Sequence, residues 1–163
     1  MISQATSLDQ LPDTGRVWIF HSSQPLLGSL RGFIDKTIGN YLDGWQAHGA
    51  SLAATYDVLY DGFIIVGVNS EVVPASGCSV DGLMRLVQQI ERELELGLLD
   101  RMKVVWLEGD SIHHSSLSDF QKAVKSGTVS EDAKVFNNAI TTVGAWKREW
   151  LLPYRQSWVT QYL

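Results

Sequence analysis

Residues 53–69 read Ala53-Ala54-Thr55-Tyr56-Asp57-Val58-Leu59-Tyr60-Asp61-Gly62-Phe63-Ile64-Ile65-Val66-Gly67-Val68-Asn69. Asp-Gly between two apolar segments signals a hairpin, because tight turns between strands need positive φ. The arms predict strands over roughly 53–60 and 63–69. The second arm, Phe63 to Val68, is continuously apolar and β-branched, as a central strand requires.

Working outward, Val17-Trp18-Ile19-Phe20 follows the turn signal Pro12-Asp13-Thr14-Gly15 and reads as a buried strand. Ser23 is expected to cap a helix with Pro25 in its first turn. Leu26, Leu30, Phe33, Ile34, Ile38, Tyr41 and Trp45 repeat at helical spacing, and His48-Gly49 is the expected stop. Beyond the hairpin, Val80, Leu83, Met84, Val87, Ile90 and Leu94 mark a second amphipathic helix, with Ser79 as its N-cap and Gly97 as its end. Lys103-Val104-Val105-Trp106-Leu107 is the next strand.

This order is β-α-β-β-α-β, the ferredoxin-like arrangement of an antiparallel sheet with two helices on one face. The chain is therefore expected to be an α+β protein with a ferredoxin-like core over 1–109. A C-terminal αβ extension over 110–163 would pack on that core, or form a small second domain starting near 101. Within the extension the pattern predicts a helix from Leu117 to Lys125, a turn at Ser126-Gly127 and an apolar segment at Val135-Phe136.

With 163 residues, 45% of them apolar and 10% aromatic, the chain can bury a sizeable core, and disorder is expected only within residues 1–10. The net charge of −5 and scattered basic residues disfavour nucleic acid and anionic membranes as partners. A single cysteine cannot form an internal disulfide. Met1-Ile2-Ser3-Gln4-Ala5 lacks a signal peptide's basic and apolar regions, and no apolar stretch has the length of a membrane span. The expectation is a cytoplasmic protein.

Several segments together resemble a bacterial family of roughly 160-residue proteins with no established function. They are Arg16 to Phe20, Trp45-Gln46-Ala47-His48-Gly49, Ser76 to Asp81, Asp100-Arg101-Met102, Val135 to Asn138 and Ser157-Trp158. That family often carries the label "ABC transporter ATPase". The sequence contradicts the label, because a phosphate-binding loop ends in Gly-Lys-Ser/Thr and this chain has no Gly-Lys pair. A second, shorter resemblance runs through Ser118-Asp119-Phe120, Ser126 to Val129 and Ala133 to Phe136. It is similar to part of the GYF-type modules, although the Gly-Tyr-Phe triplet itself is absent. It implies an element binding proline-rich peptides within 116–136.

The candidate site begins at Cys78, which small residues deliver to a helix start. Helix N-termini stabilise thiolates and anions. One reading makes Cys78 a nucleophile, with His48 or His113 as base and Asp81 or Glu108 orienting it. On a ferredoxin-like sheet, Trp45, His48, Glu108, Asp110 and His113 would approach the cysteine loop, and His21 would lie at the opposite edge. A second reading buries Cys78 as a small apolar plug. In a third, Ser76, Gly77, Ser79 and Asp81 line an anion or ligand site. No metal site or cofactor is expected, since the histidines and the cysteine lack paired ligand spacing. Trp146, Trp150 and Trp158 suggest either an aromatic contact surface, with a homodimer as one outcome, or packing onto the sheet. Glu91, Glu93 and Glu95 read as solvated surface. The leading functional expectation is a non-enzymatic module binding a small molecule or a protein. The alternatives are a thiol-dependent enzyme and the peptide-binding element.

Overall fold

The computed structural model describes residues 6–163, so the reading of Met1–Ala5 lies outside the described residues. In chain order the elements are β1 (Arg16–His21), α1 (Gly28–Asp43), β2 (Gln46–Ala47), β3 (Ala50–Ser51), β4 (Ala54–Leu59) and β5 (Phe63–Val68). Then come α2 (Gly77–Leu94), β6 (Lys103–Glu108), β7 (Ser111–Ser116), α3 (Leu117–Lys125), β8 (Lys134–Phe136), α4 (Val143–Glu149) and β9 (Leu151–Pro153). Residues Ser7–Gln10, expected to be disordered, form a 3-10 turn capped by Thr6. Further 3-10 turns follow β9.

The hairpin forms as expected, with Leu59 opposite Phe63. Its left-handed residues are Tyr60 and Asp61, each at φ 52°, one position earlier than the Asp-Gly signal implies.

β5 is flanked by β1 and β4 in an antiparallel sheet of order β1-β5-β4. The expected fourth strand does not join it. β6 instead belongs to a second antiparallel sheet of order β7-β6-β8-β9. Beside β1 runs Thr141–Thr142, with the Val17 N–H donating to the Thr141 carbonyl and Arg16 bridging Thr142. The reason lies in β6 itself. Its alternating sides are both apolar, and the edge of a sheet with helices on one face would leave one side in water.

Stacking the sheets covers both sides of both apolar strands. Ile64, Val66 and Val68 of β5 face α1 and α2, meeting Ile34, Ile38, Leu83 and Val87. Phe63 and Ile65 face the second sheet, where Val105, Leu107, Phe136, Trp146 and Trp150 await them. On the far side of that sheet, Val104, Trp106 and Val135 pack with Phe120 of α3 and with Tyr154 and Val159. The result is α+β in four layers: helices, sheet, sheet, and a helix with the C-terminal turns.

Several helix ends differ from expectation. α1 begins at Gly28 after Leu27, which makes no side-chain cap, so Ser23 is not its N-cap. It stops at Gly44, and His48-Gly49 forms the β2–β3 turn at φ 52° and 78°. α2 is capped by Ser76 rather than Ser79.

Candidate functional site

Cys78 is exposed, which removes the buried-plug reading. It occupies the second position of α2, inside a reciprocal cap. Ser76 Oγ accepts the Ser79 N–H at 3.1 Å, and Ser79 Oγ accepts the Ser76 N–H at 2.8 Å. The same Ser79 hydroxyl donates to the Ser76 carbonyl at 2.8 Å. The cap engages the Ser76 and Ser79 N–H groups, two of the groups with which the expected anion site would bind.

Around Cys78 lies an open groove lined also by His48, Tyr41, Trp45, Ser76, Ser79 and Arg85. Trp45 Nε1–H donates to the Ser79 carbonyl at 2.9 Å and ties α1's end to α2's start. His48 and Cys78 therefore share a surface, as the topology implied. Gly77 and Asp81 do not line that groove. His113 and Glu108 lie in the second sheet. His113 stacks on Trp106 at 5.4 Å, while Glu108 accepts from Trp106 Nε1 and the Ser130 N–H, each at 3.1 Å. Because β6 left the first sheet, these two no longer approach the thiol. Trp146 and Trp150 are buried between the sheets and Trp158 is half-buried. A contact surface built on the first two is out of reach. Phe120, Val129, Val135 and Phe136, which carry the GYF-type resemblance, are core residues.

A different constellation lies between the sheets. His21 ends β1 at 4% exposure, and its Nδ1 has no hydrogen-bond partner. Its ring packs on Phe63 at 4.8 Å and His114 at 5.6 Å. Burial, and then the charges of Lys103 and His114, push its pKa down to about 3, so the ring is neutral at pH 7. Lys103, at 8% exposure, donates from Nζ to the His21 carbonyl at 2.9 Å, Ser23 Oγ at 2.9 Å and the Gly97 carbonyl at 3.0 Å. Burial lowers its pKa, opposed by Asp100 and Glu91.

The loop that receives Lys103 is itself held by a charge. The Glu91 carboxylate accepts the N–H groups of Leu96, Gly97 and Leu98 at 2.9–3.1 Å. Glu91 is therefore a loop anchor and not the solvated acid expected from its position.

His21 and Lys103 line a cavity of about 160 Å³. Its apolar walls are Ile19, Leu98, Phe136 and Trp158, and its other polar residues are Asp100, Arg101, Asn137 and Asn138. On another side, His21 also borders an open groove with His114, Asp61 and the exposed Leu27. The one sequence signal for this site was polar residues abutting buried strands, His21 after Phe20 and Lys103 before Val104. Nothing local paired them. Among the described residues, no group of three or more His, Cys, Asp or Glu could hold a metal ion, and no helix is long and apolar enough to cross a membrane.

Compared with protein families, curated proteins and solved structures, the chain matches none. The functional reading rests on the geometry.

Proposed function

We propose that this protein is a non-enzymatic small-molecule-binding module whose ligand sits between the two sheets, beside His21 and Lys103. The observation that carries this is the cavity of about 160 Å³, where apolar walls meet Lys103, Arg101, Asn137 and Asn138. A buried ammonium and an unpaired imidazole nitrogen both cost stability, and apolar side chains would join two sheets at lower cost. Lys103 is fully engaged by three acceptors and Cys78 lines a separate groove, so neither serves this cavity as a nucleophile. The first three strands support a finer description, a ferredoxin-like unit short of its fourth strand. An exposed, unpaired thiol fits a reducing, cytoplasmic location.

The test is a fragment titration of the ¹⁵N-labelled protein. Binders should move the Trp158 indole and the Asn137 and Asn138 side-chain amide signals. A library whose hits move only residues around Cys78, or none at all, would sink the reading.

A second reading has its own observation, the exposed Cys78 sharing a groove with His48. On it, the protein is a thiol-dependent enzyme with His48 as base. Iodoacetamide should then label Cys78 at least tenfold faster in the native protein than in the urea-unfolded chain, and His48→Ala should remove that advantage. A native rate no faster than the unfolded one, and unaffected by the substitution, rules the enzyme out.

A further inference from the structure

We infer that the ligand of the inter-sheet cavity is a small organic carboxylate with an apolar body. This rests on the binding reading above and adds the ligand's chemistry. The polar lining is rich in donors. Asn137 Oδ1 already accepts the Ala139 N–H at 3.1 Å, and Asn138 Oδ1 accepts Trp150 Nε1–H at 3.4 Å. With the oxygens engaged, each amide offers its NH₂ group, and neither donates to an acceptor among the described residues.

Arg101 makes one long hydrogen bond, to the Asn138 carbonyl at 3.4 Å, and no described carboxylate pairs with it. Its planar fork suits a carboxylate. The charges on the lining are two cations, Arg101 and Lys103, against one carboxylate, Asp100. Asp100 already accepts the Met102 N–H at 3.0 Å. A ligand that answers these groups brings acceptors and negative charge.

The remaining walls decide between an organic acid and a bare oxyanion. Ile19, Leu98, Phe136 and Trp158 present carbon, and a phosphate ion leaves such surface unsatisfied. The volume of about 160 Å³ is close to the ~150 Å³ apolar cavity known to hold benzene. The ligand is therefore about one ring or one short acyl chain in size.

The full-length ¹⁵N-labelled chain is titrated separately with benzoate, hexanoate, benzamide and inorganic phosphate. The readouts are the side-chain amides of Asn137 and Asn138 and the Trp158 indole. At least one of the two carboxylates should saturate these signals with at least tenfold higher affinity than benzamide. Arg101→Ala, at an exposed position, should weaken that binding about tenfold while leaving the rest of the spectrum in place. Equal binding of carboxylates and benzamide overturns the carboxylate and leaves the binding cavity standing. Phosphate binding as tightly as the carboxylates overturns the apolar body. No shift with any of the four overturns this inference, while the binding reading beneath it stands or falls with the fragment library.

Discussion

At the scale of single residues, the backbone of Gly97 joins two opposite charges without an ion pair. Its N–H donates to Glu91 at 2.9 Å and its carbonyl accepts from Lys103 at 3.0 Å. Only glycine suits the position. Its φ is +74°, and a β-carbon would lie 3.0 Å from Ser23 Oγ and 3.2 Å from Lys103 Nζ. Next to it, His21 gives the fold a pH signature. Its folded pKa is lowered to about 3 from 6.5, so below about pH 6.5 the unfolded chain takes up a proton that the folded chain refuses. The stability His21 contributes is complete above about pH 6.5 and falls as pH drops toward 3, by about 1.4 kcal/mol per unit. Urea titrations at pH 7, 6 and 5 should show this slope in the wild type, and His21→Gln should flatten it. An unchanged slope in the variant would mean that His21 titrates alike in both states.

At the scale of elements, local signals were legible wherever cap, period and stop agreed. α3 spans Leu117–Lys125 as its pattern implied, with Ser116 capping Asp119 and Gly127 at φ 75° just beyond its end. The hairpin was legible because Asp61-Gly62 separates two apolar segments. α1 was misjudged at its start because Ser22 and Ser23 serve other partners. Ser22 Oγ donates to the Gln24 carbonyl at 2.6 Å, and Ser23 Oγ accepts from Lys103. Glu91 escaped notice because its three partners follow it by five to seven residues, beyond the helix end. Glu91→Ala strips three backbone N–H groups of their acceptor. The expected loss is about 1–3 kcal/mol in urea unfolding, with faster amide exchange at Leu96 and Leu98. Exchange unchanged there would show that the loop holds itself.

At the scale of the whole molecule, stability turns on the seam between the sheets. Phe136 meets Phe63 at 4.5 Å and Trp150 at 4.8 Å, and Trp150 meets Phe63 at 5.0 Å. Phe136→Ala is expected to cost about 3–5 kcal/mol. Because the seam belongs to both sheets, circular dichroism and tryptophan fluorescence should still report one shared transition. Two separated transitions would mean that the sheets unfold independently. The pairing of His48 with Cys78 was legible, since it needs only the order of α1, the hairpin and α2. The His21–Lys103 cavity was not, since it requires one sheet to fold over the other.

The seam also sets the order in which the protein can be made. When synthesis has reached residue 101, the segments of the first sheet and both its helices have been made, yet Val17, Ile19, Phe63 and Ile65 have only Leu8 and Leu11 to lie against. Their cover arrives only with Val105, Phe136 and Trp150. A growing chain thus carries an uncovered greasy sheet until its C-terminal third leaves the ribosome, and stalled or truncated products expose the surface that drives aggregation.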